Sequence, residues 1–254
     1  MFKILTCLAV EHDPRLVVLA ALICFLSSFG AVTLLQHARA ATGRPRAVWV
    51  AAAGIASGFG IWATHFIAML AYDPGLVVGY QVDLTTLSLA VAIVLTTSAL
   101  GIATYVAGRG GWLFGGLVLG AGVASMHFLG MTALEVNGSI RWDATLVIVS
   151  ILAGSLFDAA ALFAVAHANQ RLRAKLLATA AMTLGIVALH FTAMGAVTIE
   201  AGPAAEASRG MIQPHLLAFV IAGTVFFLLS IVLIAAGFAR QAEILAAISE
   251  KEFS

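Results

Sequence analysis

Of 254 residues, 62% are hydrophobic and only 10% are charged, and the formal net charge is +1 at pH 7. Such a chain cannot cover a water-soluble globule of this size, and its near-neutral balance gives no electrostatic footing for nucleic acid. Lipid is the solvent that the composition fits, so an all-α membrane protein is the expected fold class.

The N-terminal stretch Met1 to Val10 carries one lysine and a short apolar run, with no small-residue cleavage site before Glu11. It reads as an uncleaved terminal segment rather than a signal peptide. Beyond it, a hydrocarbon core about 30 Å thick calls for roughly 20 apolar helical residues per crossing. Seven runs meet that length, at about 14–36, 47–70, 84–107, 112–134, 143–167, 175–197 and 215–238. The first holds Cys24, which with Cys7 forms neither a disulfide framework nor a metal-type spacing. The fifth holds Asp158 near mid-membrane, with Ser155 a turn away; a carboxyl at that depth must be protonated, paired or facing a polar cavity.

Charges between the runs are lopsided. Arg39, Arg44, Arg46, Arg109, Arg171, Arg173, Lys175 and Arg240 cluster in alternate breaks, whereas the others carry Asp73, Asp83, Glu135, Asp143, Glu200 and Glu206 against only Arg141 and Arg209. The positive-inside rule then places the N-terminus outside and the C-terminus in the cytoplasm, consistent with seven crossings. Residues 1–238 form the membrane domain, and 239–254 read as a helical cytoplasmic linker or tail.

Three even-numbered spans repeat one pattern: Gly60 to Met69, Gly122 to Met131 and Gly185 to Met194. Relative to His65, His127 and His190, each has Gly five residues before, Phe one after, a small residue three after (Ala68, Gly130, Ala193) and Met four after (Met69, Met131, Met194). Fainter repetition puts Asp13, Asp83 and Asp143 at the starts of the first, third and fifth spans. Three helix pairs around a pseudo-threefold axis, plus a seventh helix, follow from this.

The even spans all run from inside to outside, so the three histidines fall at one depth and their faces can converge. A lone intramembrane His with Met at i+4 is ordinary packing. Three copies in register point instead to a site built from His65, His127, His190, Met69, Met131 and Met194; Met126 lies in the same short segments. Imidazole with thioether suits copper, above all Cu(I), with haem or zinc as alternatives. Asp83, Asp143 and Asp13 read as helix caps or as second-shell partners of the imidazoles. His12, His37 and His167 read as interfacial, and His215 as the one further candidate on the outward side.

These motifs resemble the MHYT domain family, bacterial membrane sensors named for a thrice-repeated Met-His-Tyr-Thr. The resemblance rests on His12-Asp13-Pro14, Thr64-His65-Phe66-Ile67-Ala68-Met69, Met126-His127-Phe128-Leu129-Gly130-Met131 and Leu189-His190-Phe191-Thr192-Ala193-Met194, with Tyr80-Gln81-Val82-Asp83 after the first motif. It implies an inner-membrane sensor that binds copper through His and Met on its outer side, and through this resemblance Met126 joins the ligand set. It also implies sensing of a diatomic gas (O2, NO or CO) and signalling to a fused cytoplasmic output domain, commonly of cyclic-di-GMP metabolism. Only His127 keeps the preceding Met, and Phe66, Phe128 and Phe191 stand where the motif has Tyr, which leaves His and Met as ligands but removes any tyrosine chemistry. The chain is expected not to be an enzyme itself and to allow a homodimer. Its rivals are a copper transporter or channel, and a membrane metalloenzyme using zinc or haem.

Overall fold

The computed structural model describes residues 2–167, 172–202 and 211–252. Arg171, Glu206 and Arg209, counted above in the charge pattern, lie outside them. A short helix, α1 (Phe2–Val10), precedes α2 (Pro14–Ala40), α3 (Gly43–Ala71), α4 (Val82–Tyr105), α5 (Gly108–Thr132), α6 (Ala144–His167), α7 (Leu172–Met194) and α8 (Pro214–Glu252). The last seven are long and apolar enough to cross a membrane. This is a multi-pass membrane protein with the span count that the apolar runs require.

The helices form a ring of three pairs. α2 packs along α3, α4 along α5 and α6 along α7, and the pairs meet through α3 with α4, α5 with α6 and α7 with α2. More of α3, α5 and α7 is buried than of α2, α4 and α6, so the repeated helices form the inside of the ring. α8 lies against α3 and α2 and is the least buried. Pseudo-threefold order shows in three backbone hydrogen bonds of 2.9 Å: Asp13 N–H to Ala71 O, Gln81 N–H to Ala133 O and Asp143 N–H to Ala196 O. Each acceptor lies six residues after a motif histidine. The residue equivalent to Asp13 and Asp143 is therefore Gln81, the N-cap of α4, and not Asp83, which sits inside the helix's first turn.

Small residues set how closely the pairs approach, because backbones in lipid associate by van der Waals contact. A Cβ on Gly54 or Gly58 of α3 would come within 2.5 Å of Thr97 Cα or 2.6 Å of Ile93 Cα on α4. On α5, a Cβ on Gly116 or Gly120 would meet Ala159 Cα at 2.3 Å or Ser155 Cα at 2.4 Å on α6. Counted from the histidines, these glycines stand eleven and seven residues before. At the same places α7 carries Thr179 and Thr183, and its contact with α2 is less extensive than the other two seams.

At the end of the bundle where α3, α5 and α7 finish, the chain forms strands that the apolar runs gave no sign of. β1 (Val78–Gln81) lies between β2 (Leu134–Val136) and β5 (Met211–Ile212), and β3 (Gly138–Trp142) pairs antiparallel with β4 (Val197–Ala201). These segments lie past the helix ends, where backbone groups need partners of their own. Arg141 and Glu200, diagonal neighbours across β3 and β4, form an ion pair at 3.0 Å. At the opposite end, the Arg39 guanidinium donates to the Val165 and Ala166 carbonyls, satisfying groups at the C-terminus of α6. It also lies 5.0 Å from the centre of the Trp112 ring.

Candidate metal centre

The three inner helices carry the motif histidines to one level, and their side chains meet on the pseudo-threefold axis. Ring centroids of His65, His127 and His190 are 5.0, 5.1 and 5.3 Å apart, with interplanar angles of 83°, 89° and 74°. His65 Nδ1 lies 3.2 Å from His127 Nδ1 and 3.3 Å from His190 Nδ1. Each ring is at most 5% exposed. A first-row metal about 2.0–2.1 Å from three imidazole nitrogens holds them about 3.3–3.6 Å apart; the two His65 contacts lie close to that range, and ligand nitrogens of all three rings lie within 4.8 Å of one another. All three Nε2 atoms are buried without a hydrogen-bond partner.

The enclosed cavity at the triad has a volume of about 10 Å³, which is no more than a single water-sized probe. Its lining answers the question of which neighbours accompany the histidines. Thr64, Met126 and Leu189 stand one residue before each His, and Ile61, Val123 and Ile186 four before. Met126 is thus the thioether in the wall. Met69, Met131 and Met194 are buried but do not line this cavity. On a helix, the residue four after a given one sits a turn further along, and the cavity opens in the other direction, away from the strands.

The remaining repeat positions pack the triad. A Cβ on Gly130 would come within 2.5 Å of His65 Nε2, so the small residue three after His127 makes room for a neighbouring imidazole. Each motif Phe touches its own His edge-on and then reaches the next repeat. Phe66 meets Tyr80 (5.8 Å), Phe128 meets Trp142 (5.4 Å) and Phe191 meets His12 (5.3 Å). Those three partners are the residues just before Gln81, Asp143 and Asp13. The phenyl groups therefore close the triad off from the strand-bearing end.

His12 is the residue that sequence reasoning misjudged, since it is 4% exposed rather than interfacial. Its Nδ1 bonds the Cys7 carbonyl at 2.8 Å, which leaves Nε2 as the buried, unpartnered nitrogen. Burial lowers its pKa below the usual 6.5, against the smaller raising effects of the Cys7 carbonyl and Glu11. The ring lies between Tyr72 (5.2 Å, tilted) and Phe191 (edge-on), and Phe191 lies 4.9 Å from His190. Tyr72 lines an open cavity of about 530 Å³ whose other walls include Cys7, Glu11, Asp73, Lys3 and Met194. Burial, then Glu11, pushes the Cys7 thiol up to about 12.

Of the acids expected to support the imidazoles, Asp13 accepts the Arg15 N–H at 2.8 Å and Asp143 accepts the Thr145 and Leu146 N–H groups at 3.0 and 3.2 Å. Asp83 accepts the Leu84 N–H at 3.0 Å. None of the three bonds an imidazole, so all act at helix starts, where a carboxylate favourably meets the positive dipole end. His215 is exposed at the first turn of α8, away from the triad.

Fold and site together define a multi-pass membrane protein with a buried three-histidine centre able to hold a metal ion. Residues 58–116 and 120–180 each match the MHYT family, described as a bacterial signalling protein N terminal repeat, and the chain belongs to that family. It is 38% identical over 199 residues to an uncharacterized signaling protein of Caulobacter vibrioides, covering 78% of this chain and 24% of the relative. The bifunctional diguanylate cyclase/cyclic di-GMP phosphodiesterase MucR of Pseudomonas aeruginosa is 32% identical over 220 residues, covering 83% and 32%. The cyclic di-GMP phosphodiesterase NbdA of the same species is 30% identical over 199 residues, covering 74% and 25%. The chain thus spans about a quarter to a third of the length of these relatives, and the shared segment is a membrane sensor region. No solved structure matches it.

Proposed function

We propose that this chain is a sensor whose His65, His127 and His190 hold one copper ion, with Met126 as the adjacent thioether. Convergence of three imidazoles from separate spans, with His65 Nδ1 at 3.2 Å from His127 Nδ1 and 3.3 Å from His190 Nδ1 and the ligand nitrogens of all three within 4.8 Å of one another, is the observation that carries this reading. Neutral imidazoles beside a thioether, with no thiolate or carboxylate at the cavity, form a donor set that favours Cu(I) over zinc or calcium. A copper ion held there supplies a coordination position for a diatomic gas such as O2, NO or CO. The protein's own part is to hold the three rings edge to face, to exclude water, and to limit the ligand to very small molecules by a cavity of about 10 Å³.

Charge asymmetry favours the strand-bearing end facing outward and the Arg39 end facing the cytoplasm. Tyr72, His12 and Phe191 then form the side-chain row between an outward cavity and His190. The relatives' names connect such membrane segments with cyclic di-GMP enzymes, and α8, continuous to Glu252, is suited to carry a shift in ring packing to a cytoplasmic partner. Purified protein loaded with Cu(I) and exposed to CO is expected to give a carbonyl infrared band that His127→Ala lacks. Copper-loaded protein without a CO band would overturn gas sensing.

A further inference from the structure

The wall of the triad cavity continues into a second group of buried polar side chains. Thr64 lines the cavity and also lies beside the Cys24 thiol of α2, which Ser28 of α2 and Thr183 of α7 border as well. Asp158 of α6 lies near that thiol. Its carboxyl is wholly buried and neither oxygen has a hydrogen-bond partner; the hydroxyls of Ser28, Thr64 and Thr183 are likewise unpartnered. A Cβ on Gly185 would meet Asp158 Oδ1 at 2.8 Å, and Gly185 lies five residues, about 7.5 Å of helix rise, from His190.

Among the described residues, the side chains that the surrounding elements place around this carboxyl are uncharged. α5 meets this stretch of α6 with Gly116 and Gly120, α7 with Gly185 and Thr183, and α2 with Cys24 and Ser28. Among the described residues the ion pairs lie elsewhere, at Lys3 with Asp143 and Arg141 with Glu200. In the other two repeats, the residues opposite the equivalent glycines Gly60 and Gly122 are Ser27 and Leu95. The acid therefore belongs to one repeat alone, and packing of the pair does not call for it.

An isolated carboxylate so far from water is very costly, and so is a metal ion bound only by neutral ligands in the same interior. Each removes the other's penalty. We propose that Asp158 is the counter-charge of the histidine centre: it holds a proton while the centre is metal-free and releases it when a soft monovalent ion binds at His65, His127 and His190. The O–H bond breaks with its electron pair left on the carboxylate, the proton passes to bulk water, and one positive charge leaves as another enters. The hydroxyls of Ser28, Thr64 and Thr183 are donors free to turn toward the carboxylate as it forms. This inference rests on the metal reading above.

The test is Cu(I) titration of the purified chain in micelles against a competing chelator between about pH 6 and 8, with proton release followed by an indicator dye. Wild type is expected to release about one proton per copper and to bind about tenfold more tightly per pH unit. Asp158→Asn, an isostere of the protonated acid, should keep its helical circular dichroism, release about one proton fewer, lose that pH dependence and bind at least tenfold more weakly at neutral pH; Asp158→Glu should restore the release. The infrared band of a protonated carboxyl should be present in metal-free wild type, vanish on loading and be missing from Asp158→Asn. Equal proton release from Asp158→Asn and wild type, or a carboxyl band that survives loading, overturns the counter-charge alone. Failure of wild type to bind copper overturns the metal reading and the counter-charge with it.

Discussion

Two seams of the ring, α3 with α4 and α5 with α6, are closed by glycines whose Cα atoms approach the opposite backbone. The third, α7 with α2, carries Thr179 and Thr183 at the same distances from its histidine. The difference teaches that the threefold repeat is kept where the histidines converge and relaxed where polar side chains are buried. Cys24, Ser28 and Thr183 lie at the relaxed seam, and both Asp158 and the triad cavity's Thr64 neighbour it. Symmetry therefore marks the shared site, and its loss marks the side on which the site connects to the rest of the bundle.

The largest effects should come from breaking a closed seam. Gly120→Val or Gly58→Val forces atoms into backbone only 2.4 or 2.6 Å from the first new carbon. The cost is expected to exceed the roughly 1–3 kcal/mol of ordinary overpacking, read as loss of folded protein in a detergent melting assay. Gly130→Ala should be milder, because the obstructing atom is the end of the His65 ring. About 1–3 kcal/mol is expected, with the triad displaced and copper affinity lowered, measured by melting and by chelator competition.

The pH dependence tests His12, which packs on the Phe191 that shields the triad. Because burial lowers its folded pKa, the unfolded chain binds the proton more readily below 6.5. Stability from this group is complete above 6.5 and falls as the pH drops from there toward the folded value. Melting temperatures measured from neutral to mildly acidic pH should decline, and His12→Gln should flatten part of that decline. The smallest effect is expected at the relaxed seam itself: Thr183→Val removes an unpartnered buried hydroxyl while keeping the shape, and should change stability by less than about 1 kcal/mol. If Thr183→Val were as damaging as Gly120→Val, the two kinds of seam would not differ as described.

The seven spans were legible because an 18-residue apolar run in a chain this poor in charge admits few other readings, and for the first six no boundary shifted by more than four residues. The three histidines were legible because repetition supplied the register that one copy lacks. The direction in which the rings point was not. Met69, Met131 and Met194 share a helical face with the histidines, yet the cavity lies on the side of Thr64, Met126 and Leu189. Side-chain direction depends on neighbouring helices, here on Gly130 leaving room for His65. The strands were hidden because segments such as Val78–Gln81 are too short to show a period. His12 looked interfacial because its burial comes from Tyr72 and Phe191, residues distant in sequence.

The most direct test of the central claim is the metal content of purified protein, by mass spectrometry, for wild type and for His65→Ala, His127→Ala and His190→Ala beside His215→Ala. One copper per chain is expected in wild type and in His215→Ala, with each of the other three variants losing it. Copper retained after removal of any one of His65, His127 or His190 would contradict a shared three-histidine centre.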